Sequence, residues 1–269
     1  MRELIWAIKF LTIVPIDTAN RITTNRYNLI MAWFPLVGFL IGVLLVGVGF
    51  GLIQAGFPDQ ITICLVLLVL TLVTGALHVD GLADTADGVL GGATKERRLE
   101  IMRDSRIGTF GATAIVFDYL LRYGALMAIM QSSPFMLLTA AALGLMPVVG
   151  RWCQVLAAAM CRYARPEEGT GKAFVDSVSW PSALVSATIP VGLSFLLLGL
   201  TGFWMFLAAV AVSLVVIFII WWRIGGMTGD TLGAVNEVAE IAFLLGFFVF
   251  VSGKTWSPLV NFVLQFVKM

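Results

Sequence analysis

The stretch ITICLVLLVLTLVTGALHVDGLADTADGVLGG, Ile61–Gly92, joins an apolar run directly to a segment rich in carboxylates. Its second half, His78–Gly92, places Asp80, Asp84 and Asp87 within eight residues. Because an α-helix turns about 100° per residue, a helix would hold these three side chains within roughly 40° of one another on one face. Such a cluster of like charges costs stability unless a cation sits there. The stretch therefore predicts a divalent-metal site where a membrane helix meets water.

The composition indicates an integral membrane protein. The 269 residues are 59% hydrophobic and 12% charged, with a mean hydropathy of +0.97, whereas soluble domains carry about 25% charged residues. At about 20 apolar residues per span, the sequence predicts an all-α bundle of about seven transmembrane helices. These spans are Leu29–Ile53, Ile61–Leu77, Ala112–Met130, Pro134–Met160, Ala183–Leu200, Phe203–Trp222 and Ile241–Val251.

The two ends of the chain are less regular than its middle. The first residues, MRELIWAIKFLTIVPI, lack a small-residue cleavage site and are expected to lie along the membrane interface or dip into it. The segment Trp256–Met269 is either an interfacial helix or an eighth span. No linker rich in Pro, Gly or Ser and no internal repeat divides the chain, so residues 1–269 are predicted to form one membrane-embedded domain.

Positive charge predicts the orientation, because Lys and Arg in short loops are retained on the cytoplasmic side. If seven spans alternate from a cytoplasmic N-terminus, nearly all Lys and Arg outside the spans fall on the inner face. Every polar loop long enough to hold chemistry then lies on the cytoplasmic face. These loops are Val79–Gly111, Arg162–Trp180 and Arg223–Glu240.

The residue types restrict the metal. The chain has a single histidine, His78, which excludes a multi-histidine centre, and its three cysteines lie in apolar runs and are predicted to be buried thiols. Oxygen donors alone suit Mg²⁺ or Mn²⁺ better than zinc. His78 itself is either a ligand or acid of the site or an interface anchor at the end of a span.

Arginines near the acids suggest phosphate recognition, because a guanidinium offers paired planar donors to phosphate oxygens. Arg103 and Arg106 frame Asp104 and are predicted to bind phosphate, whereas Lys95, Arg97 and Arg98 are predicted mainly to hold their loop inside. The glycines of Gly225–Gly229 would let backbone N–H groups face an anion.

Three charged residues fall inside predicted spans. Asp118 and Arg122 are one helical turn apart and are expected to pair, while Arg151 needs a partner from another helix. The pair is interpreted either as structural or as part of the site.

Four long motifs together resemble the cobalamin synthase family, adenosylcobinamide-GDP ribazoletransferase. They are HVDGLADTADG from His78, RDSRIGTFG from Arg103, YARPEEG from Tyr163 and GGMTGDTLGAVNE from Gly225. FLTIVP from Phe10 and AWFPLVG from Ala32 are also similar to that family. The resemblance spans nearly the whole chain in the expected order.

The resemblance implies a Mg²⁺-dependent, multi-pass enzyme of the cytoplasmic (inner) membrane in cobalamin assembly, with Mn²⁺ as an alternative cofactor. Such an enzyme joins adenosylcobinamide-GDP to α-ribazole or its 5′-phosphate and releases GMP. The implied partners are these substrates and the lipid bilayer, with no nucleic acid. A homo-oligomer, or a complex with other cobalamin-assembly enzymes, is left open.

Residue roles follow from that resemblance as hypotheses. The metal-binding and catalytic acids are expected to be Asp80, Asp84 and Asp87, with Asp104 as an additional acid and Asp230 and Glu237 completing a second metal shell. Substrate contacts are assigned to His78, Arg103, Arg106, Arg165, Lys172, Gly226, Thr228 and Gly229.

Two other functions are weighed against this one. Charges in spans suit an ion or solute transporter, but the spans lack inverted repeats and the acids concentrate on one side. Asp80-Gly81-Leu82-Ala83 is similar to the D-G-x-x-A motif of CDP-alcohol phosphotransferases, although Asp84 stands where that motif has arginine. This second likeness is an analogy of mechanism only.

Overall fold

The computed structural model describes residues 2–16, 26–131, 135–165 and 171–250, and all regular structure in these ranges is helical. The predicted segment Trp256–Met269 lies outside the described residues. The helices are α1 (Arg2–Leu11), α2 (Tyr27–Ala32), α3 (Phe34–Gln54), α4 (Asp59–Val73), α5 (Leu77–Gly91), α6 (Lys95–Ile101), α7 (Thr109–Gln131), α8 (Phe135–Met160), α9 (Lys172–Val175), α10 (Trp180–Ile224) and α11 (Gly229–Phe250).

Helix α8 forms the centre of the bundle, and α3, α7, α10 and α11 pack around it. The closest approach is between α3 and α8, where a Cβ on Gly38 or Gly42 would collide with the backbone of Pro147 or Gly144. Small residues let helix backbones approach closely inside a membrane, where lipid supplies no hydrophobic drive for association. The small residues around Gly144 thus pack within one chain.

We expect Gly42→Val to lower the free energy of unfolding by about 1–3 kcal/mol, because the added carbons force α3 away from α8. Thermal or denaturant unfolding in detergent measures the loss. Gly47→Val is the matched control in the same helix, since a Cβ at Gly47 meets no atom within 4 Å. Equal losses in the two variants would contradict the packing assignment.

Helix α10 folds back on itself. Its 45 residues would make a rod of about 67 Å, roughly twice the thickness of a membrane core. Gly199 has φ 63° and ψ −147°, which interrupts the helix, and a Cβ on Gly202 would collide with the carbonyl of Ser194. Residues eight apart meet only where the chain reverses. The predicted division into spans Ala183–Leu200 and Phe203–Trp222 is confirmed at this break.

The segment after α4 also breaks. Gly75 and Ala76 both have positive φ, and α5 turns by 86° from the axis of α4. The span predicted over Ile61–Leu77 therefore ends earlier, at Val73, and α4 has only 15 residues. The predicted helix across the acidic stretch is confirmed as α5.

By length and composition, five helices of the described chain can cross a membrane, and a sixth if α4 and α5 count as one span. One of the five is α10, which folds back and so supplies two passes. The predicted all-α bundle with several membrane-spanning helices is confirmed, and seven as the number of spans stays a prediction.

The last predicted span, Ile241–Val251, is short enough to extend in either direction, and the structure extends it at its N-terminal end. Residues 229–240 were expected to belong to a polar loop, but α11 runs without interruption from Gly229 to Phe250. Its Glu237 and Glu240 are buried. A helix can carry them inside the bundle because arginines on α7 and α8 neutralise them.

The polar segments meet at one end of the bundle, as the charge pattern predicts. Phe174 of α9 packs against Phe10 and Phe34, while Asn28 accepts a hydrogen bond from the Ser179 N–H group at 3.3 Å. Arg223, near the end of α10, contacts both α5 and α6. The residues after α8 contact the loop between α10 and α11 and the first turn of α11. This end carries the candidate site.

Candidate functional site

Helices α5 and α11 run antiparallel in close contact. A Cβ on Gly81 would lie 2.6 Å from the carbonyl oxygen of Asp230, and one on Gly233 would lie 3.1 Å from the Cα of His78. Gly81 lies beside Asp230, in the first turn of α11, which begins at Gly229. The residues of α5 after Gly81 therefore extend past the N-terminal end of α11. Asp84 therefore lies beyond the start of α11, at the polar end of the bundle.

The acids of α5 and the first turn of α11 form one electrostatic group. Burial, followed by the negative charges of Asp80, Asp230 and Asp87, raises the pKa of Asp84 from 3.8 to about 7, against the opposing charge of Arg165. As the sequence predicts, the acids on one face of α5 are close enough for their negative charges to act on one another. Asp230, 150 residues downstream of Asp80, joins the cluster because α11 packs on α5.

The raised pKa of Asp84 predicts a pH-dependent stability difference in the metal-free protein. A folded-state pKa above the unfolded value means that ionised Asp84 destabilises the fold, and this cost grows as the pH rises from about 4 to about 7. Asp84→Asn removes the charge. We expect the variant to unfold at a higher temperature than the wild type at pH 8 in EDTA, with a smaller difference at pH 5. A gain that is equal at both pH values would contradict the assignment.

Asp87 has a structural partner. Its carboxylate accepts hydrogen bonds from the N–H groups of Gly108 at 2.7 Å and Gly111 at 2.9 Å, at the start of α7. Unsatisfied N–H groups and the positive end of the helix dipole make a helix N-terminus a favourable place for a carboxylate. Asp87 therefore fixes α7 to α5, and its role as a metal ligand stays a prediction.

The carboxylates suit a hard divalent cation in chemistry, but the described residues contain no group of three His, Cys, Asp or Glu side chains placed to hold a metal ion. Two acids have other partners. Asp87 binds the start of α7, and Asp230 binds Arg165 at 2.9 Å and accepts a hydrogen bond from Thr228 at 3.3 Å. Asp80 and Asp84 are the acids that best fit the role of ligands in this arrangement.

A cavity of about 140 Å³ opens beside this cluster. Polar groups of Asp80, Asp230, His78 and Gln154 line it together with aromatic rings of Phe10, Phe34 and Phe174. A cavity that combines apolar walls with a few converging polar groups is the usual form of a small-molecule site.

His78 lies at the wall of this cavity, and its tautomer follows from its neighbour. Arg151 Nη2 lies 3.4 Å from His78 Nδ1. A guanidinium can only donate, so Nδ1 accepts and the ring proton resides on Nε2. His78 is one of the residues that line the cavity. The predicted substrate contact of His78 is consistent with this placement.

Behind the cavity lies a buried ionic network. Arg122 pairs with Asp118 at 2.9 Å and also with Glu237 and Glu240, and Arg151 pairs with Glu240. The predicted pair of Asp118 and Arg122 is confirmed, as is the prediction that Arg151 takes a partner from another helix. The network connects α7, α8 and α11 and, through His78, reaches α5.

Glu237 belongs to this network. It pairs with Arg122 and accepts a hydrogen bond from Asn236 at 2.9 Å. Glu237 thus has a structural partner, Arg122, and lies on a different helix from Asp84. Its predicted role in a second metal shell stays a prediction. The sequence allows any of the cytoplasmic acids, Glu240 among them, to be the partner of Arg151. It does not single out Asn236, although the i, i+4 spacing of Asn236 and Glu240 on a helix was a usable signal.

The loop before α7 pairs two of the predicted site residues with each other. Arg106 Nη2 donates to Asp104 at 2.7 Å, and the Arg106 N–H group donates to the same carboxylate at 3.1 Å. These hydrogen bonds lower the pKa of Asp104 to about 2, which makes it a poor proton acceptor near neutral pH. Arg103 lies exposed on the same loop. The roles predicted for these three residues stay predictions.

The glycine-rich loop that precedes α11 is shaped by structural needs. Gly225 ends α10 with φ 78°, and Gly226 packs so closely on the Arg162 carbonyl that a Cβ would collide with it. Thr228 Oγ1 accepts from the Thr231 N–H group and caps α11. Of the predicted contacts in this loop, Gly229 lines the cavity.

Basic residues predicted to be topogenic also hold the loops together. Arg98 donates to the carbonyl of Arg223 at 3.0 Å, and Arg223 donates to the carbonyl of Val89 at 2.7 Å. A Cβ on Gly225 would lie 2.9 Å from Lys95 Nζ, which places that ammonium group at the C-terminus of α10. Cations are favourable at helix C-termini. These contacts hold α5 and α6 against α10.

Arg165 and Lys172 line an open, more polar pocket of about 560 Å³ next to the cavity. Arg162, Tyr163 and Asp176 lie on its wall, and the pocket faces outward from the end of α8. The pairing of Arg165 with Asp230 places the guanidinium between this pocket and the cavity. Both predicted contacts are thus near the acid cluster.

The family model for cobalamin-5-phosphate synthase matches residues 3–248. The chain belongs to the cobalamin-5-phosphate synthase family. The match covers every helix that builds the acid cluster, the cavity and the buried network.

Similar curated members of the cobalamin-5-phosphate synthase family carry the name adenosylcobinamide-GDP ribazoletransferase. The protein from Clostridium novyi is 39% identical over 93% of this chain and 98% of its own length. The Chlorobaculum tepidum protein is 36% identical over 94% and 98%, and the Klebsiella pneumoniae protein is 37% identical over 89% and 96%. No solved structure matches this chain.

Proposed function

We propose that this protein transfers adenosylcobinamide phosphate from adenosylcobinamide-GDP to α-ribazole or its 5′-phosphate. The products are adenosylcobalamin or its 5′-phosphate, and GMP. The observation that carries the proposal is the acid cluster of α5 and α11 beside a partly apolar cavity, in a chain whose full-length relatives bear this name. Family membership alone would leave the position of the reaction undefined.

The transfer moves one phosphoryl group between two oxygens. The ribose hydroxyl of the acceptor forms a bond to the phosphorus that carries adenosylcobinamide, and the bond from that phosphorus to the bridging oxygen breaks. GMP leaves with the electron pair of that bond, and the hydroxyl proton must be taken up. The chain therefore has to orient a diphosphate, place a hydroxyl in line with it and receive a proton.

Asp80, Asp84 and Asp230 would hold a Mg²⁺ ion in this proposal. When bound, such an ion neutralises charge on a diphosphate and on the departing phosphate. All of these donors are carboxylates at one end of the bundle, which is the ligand chemistry that Mg²⁺ prefers.

An acid of α5 that does not bind the cation would receive the proton. In the metal-free protein the pKa of Asp84 is about 7, so Asp84 has to lose its proton to bind the cation. His78 lines the cavity and would donate a hydrogen bond from Nε2 to a substrate oxygen. The aromatic rings of Phe10, Phe34 and Phe174 would exclude water from the apolar part of the substrate.

We infer that the polar end of the bundle, which carries the site, faces the cytoplasm, because Lys and Arg in short loops are retained on that side. The phosphate-bearing parts of the substrates are hydrophilic and would reach the site directly from the water on this face. We infer a multi-pass protein of the cytoplasmic membrane.

The experiment uses purified protein in lipid vesicles supplied with adenosylcobinamide-GDP, α-ribazole 5′-phosphate and Mg²⁺. We expect cobalamin 5′-phosphate and GMP in equal amounts. Solute or ion flux without product would favour a transporter. Competition by CDP-diacylglycerol, with transfer to an alcohol acceptor, would favour a CDP-alcohol phosphotransferase. Either result would overturn the proposal.

A further inference from the structure

Asp230 and Arg165 form an ion pair between the cavity and the open pocket. Arg165 Nη2 lies 2.9 Å from Asp230 Oδ2, and both side chains are partly shielded, with exposures of 15% and 29%. Asp230 also belongs to the charge cluster around Asp84. The pairing with Arg165 therefore engages Asp230, which could otherwise join Asp80 and Asp84 in binding a cation.

Arg165 retains unused hydrogen-bonding capacity. Its Nε is buried and has no hydrogen-bond partner among the described residues. An unsatisfied buried donor on a charged group is costly. A phosphate presents several acceptor oxygens and can bind a guanidinium through two of its N–H groups.

The position of the pair connects two spaces. Asp230 and Gly229 line the cavity that also contains Asp80 and His78, whereas Arg165 lines the neighbouring open pocket with Lys172. A Cβ on Gly171 would lie 2.8 Å from the Gly229 nitrogen, so the two walls touch next to the ion pair. A diphosphate that reaches the acid cluster from the open pocket meets Arg165 first.

We propose that Arg165 is a partner-switching residue, which pairs with Asp230 in the free protein and with the diphosphate of the donor when that binds. Asp230 is thereby released towards the divalent cation only when the diphosphate is present. This inference rests on the proposed function, and it makes cation binding and diphosphate binding cooperative. By thermodynamic linkage each ligand tightens the other by the same factor.

The test measures Mn²⁺ binding to purified full-length protein by electron paramagnetic resonance, with and without GDP. We expect GDP to tighten Mn²⁺ binding to the wild-type protein by about tenfold. Arg165→Gln should tighten Mn²⁺ binding in the absence of GDP by about the same factor, because Asp230 is already free, and GDP should then add little.

A double-mutant cycle separates the switch from simple charge removal. In an Asp230→Asn background, Arg165→Gln should tighten Mn²⁺ binding far less than in the wild-type protein, because the acid that the arginine occupies is gone and only the direct effect of its charge on Asp84 remains. An equal tightening in that background would overturn the proposal, as would an Arg165→Gln protein that binds Mn²⁺ no more tightly than the wild type.

Arg97→Gln is the matched control, since it removes a positive charge from an exposed pair with Glu100 on α6 without removing a partner of Asp230. It should leave the effect of GDP on Mn²⁺ affinity intact, and loss of that effect would overturn the assignment to Arg165. Arg165→Lys guards against misfolding. It keeps the ion pair, so Mn²⁺ affinity without GDP should match the wild type, and a tightening like that of Arg165→Gln would overturn the proposal.

Product formation by the wild-type protein is measured separately. Normal product formation with no response of Mn²⁺ affinity to Arg165→Gln refutes the switch and leaves the proposed function standing. Absence of product, with Mn²⁺ affinities that follow the cycle above, refutes the transferase activity and supports the switch for another diphosphate.

Discussion

Asp84→Asn is expected to lower the rate of cobalamin 5′-phosphate formation by at least about a hundredfold while the protein remains folded. The change preserves the shape of the side chain but removes its negative charge and its ability to take up a proton. It also removes the group on which the charges of Asp80, Asp230 and Asp87 converge. Initial rates at saturating substrate, measured over a range of Mg²⁺ concentrations, give the effect.

The matched control for this variant is Asp59→Asn. Asp59 is the first residue of α4 and lines an apolar cavity with Met130 and Thr139, away from the polar segments that carry the site. The same chemical change there should leave the rate and the Mg²⁺ requirement unaltered. Retention of full activity by Asp84→Asn would contradict the site assignment.

Arg151→Leu is expected to have the largest effect on stability, with a loss of about 3–5 kcal/mol. The substitution leaves Glu240 with one arginine in place of two, inside a network that already contains three carboxylates and only two guanidiniums. Unfolding by denaturant in detergent measures the loss.

The double variant Arg151→Leu/Glu240→Leu tests the physical cause of that loss. Replacing both partners of a buried ion pair by apolar side chains often costs little, whereas removing one leaves a buried charge unpaired. The double variant should therefore be more stable than Arg151→Leu. Leucine in place of Arg97, whose pair with Glu100 is exposed, should change stability little. A double variant less stable than Arg151→Leu would contradict the account.

Much of the bundle could be predicted because its apolar runs are long enough to span a membrane. Residues 109–131 and 135–160 became helices close to their predicted bounds, and the break between the two halves of α10 falls at Gly199 as expected. The boundary of α11 could not be predicted in this way. The charges of Glu237 and Glu240 are compensated by Arg122, more than a hundred residues earlier, which a local hydropathy window does not detect.

The site, too, could be predicted only in part. Periodicity alone predicted that Asp80, Asp84 and Asp87 share a helix face, and the joint effect on Asp84 follows from that. Which acid is already occupied depends on distant chain segments. Asp87 binds the start of α7, and Asp230 binds Arg165, and both contacts result from helix packing that the sequence pattern does not specify.

His78 shows how the network and the site depend on each other. Its proton is held on Nε2 by Arg151, whose position depends on Glu240. A buried ionic network thus determines the tautomer of a histidine that lines the cavity. This arrangement accounts for the presence of five charged side chains in the core of a membrane bundle, where isolated charges are expensive.

In the proposed function, the acid face of α5 holds a divalent cation that contacts the diphosphate of the donor. Electron–nuclear double resonance of Mn²⁺ bound to the wild-type protein with GDP measures this contact. We expect a hyperfine coupling to phosphorus that disappears in Asp84→Asn and persists in Asp59→Asn. A phosphorus coupling of equal strength in Asp84→Asn, or Mn²⁺ bound without any coupling to phosphorus, would contradict it.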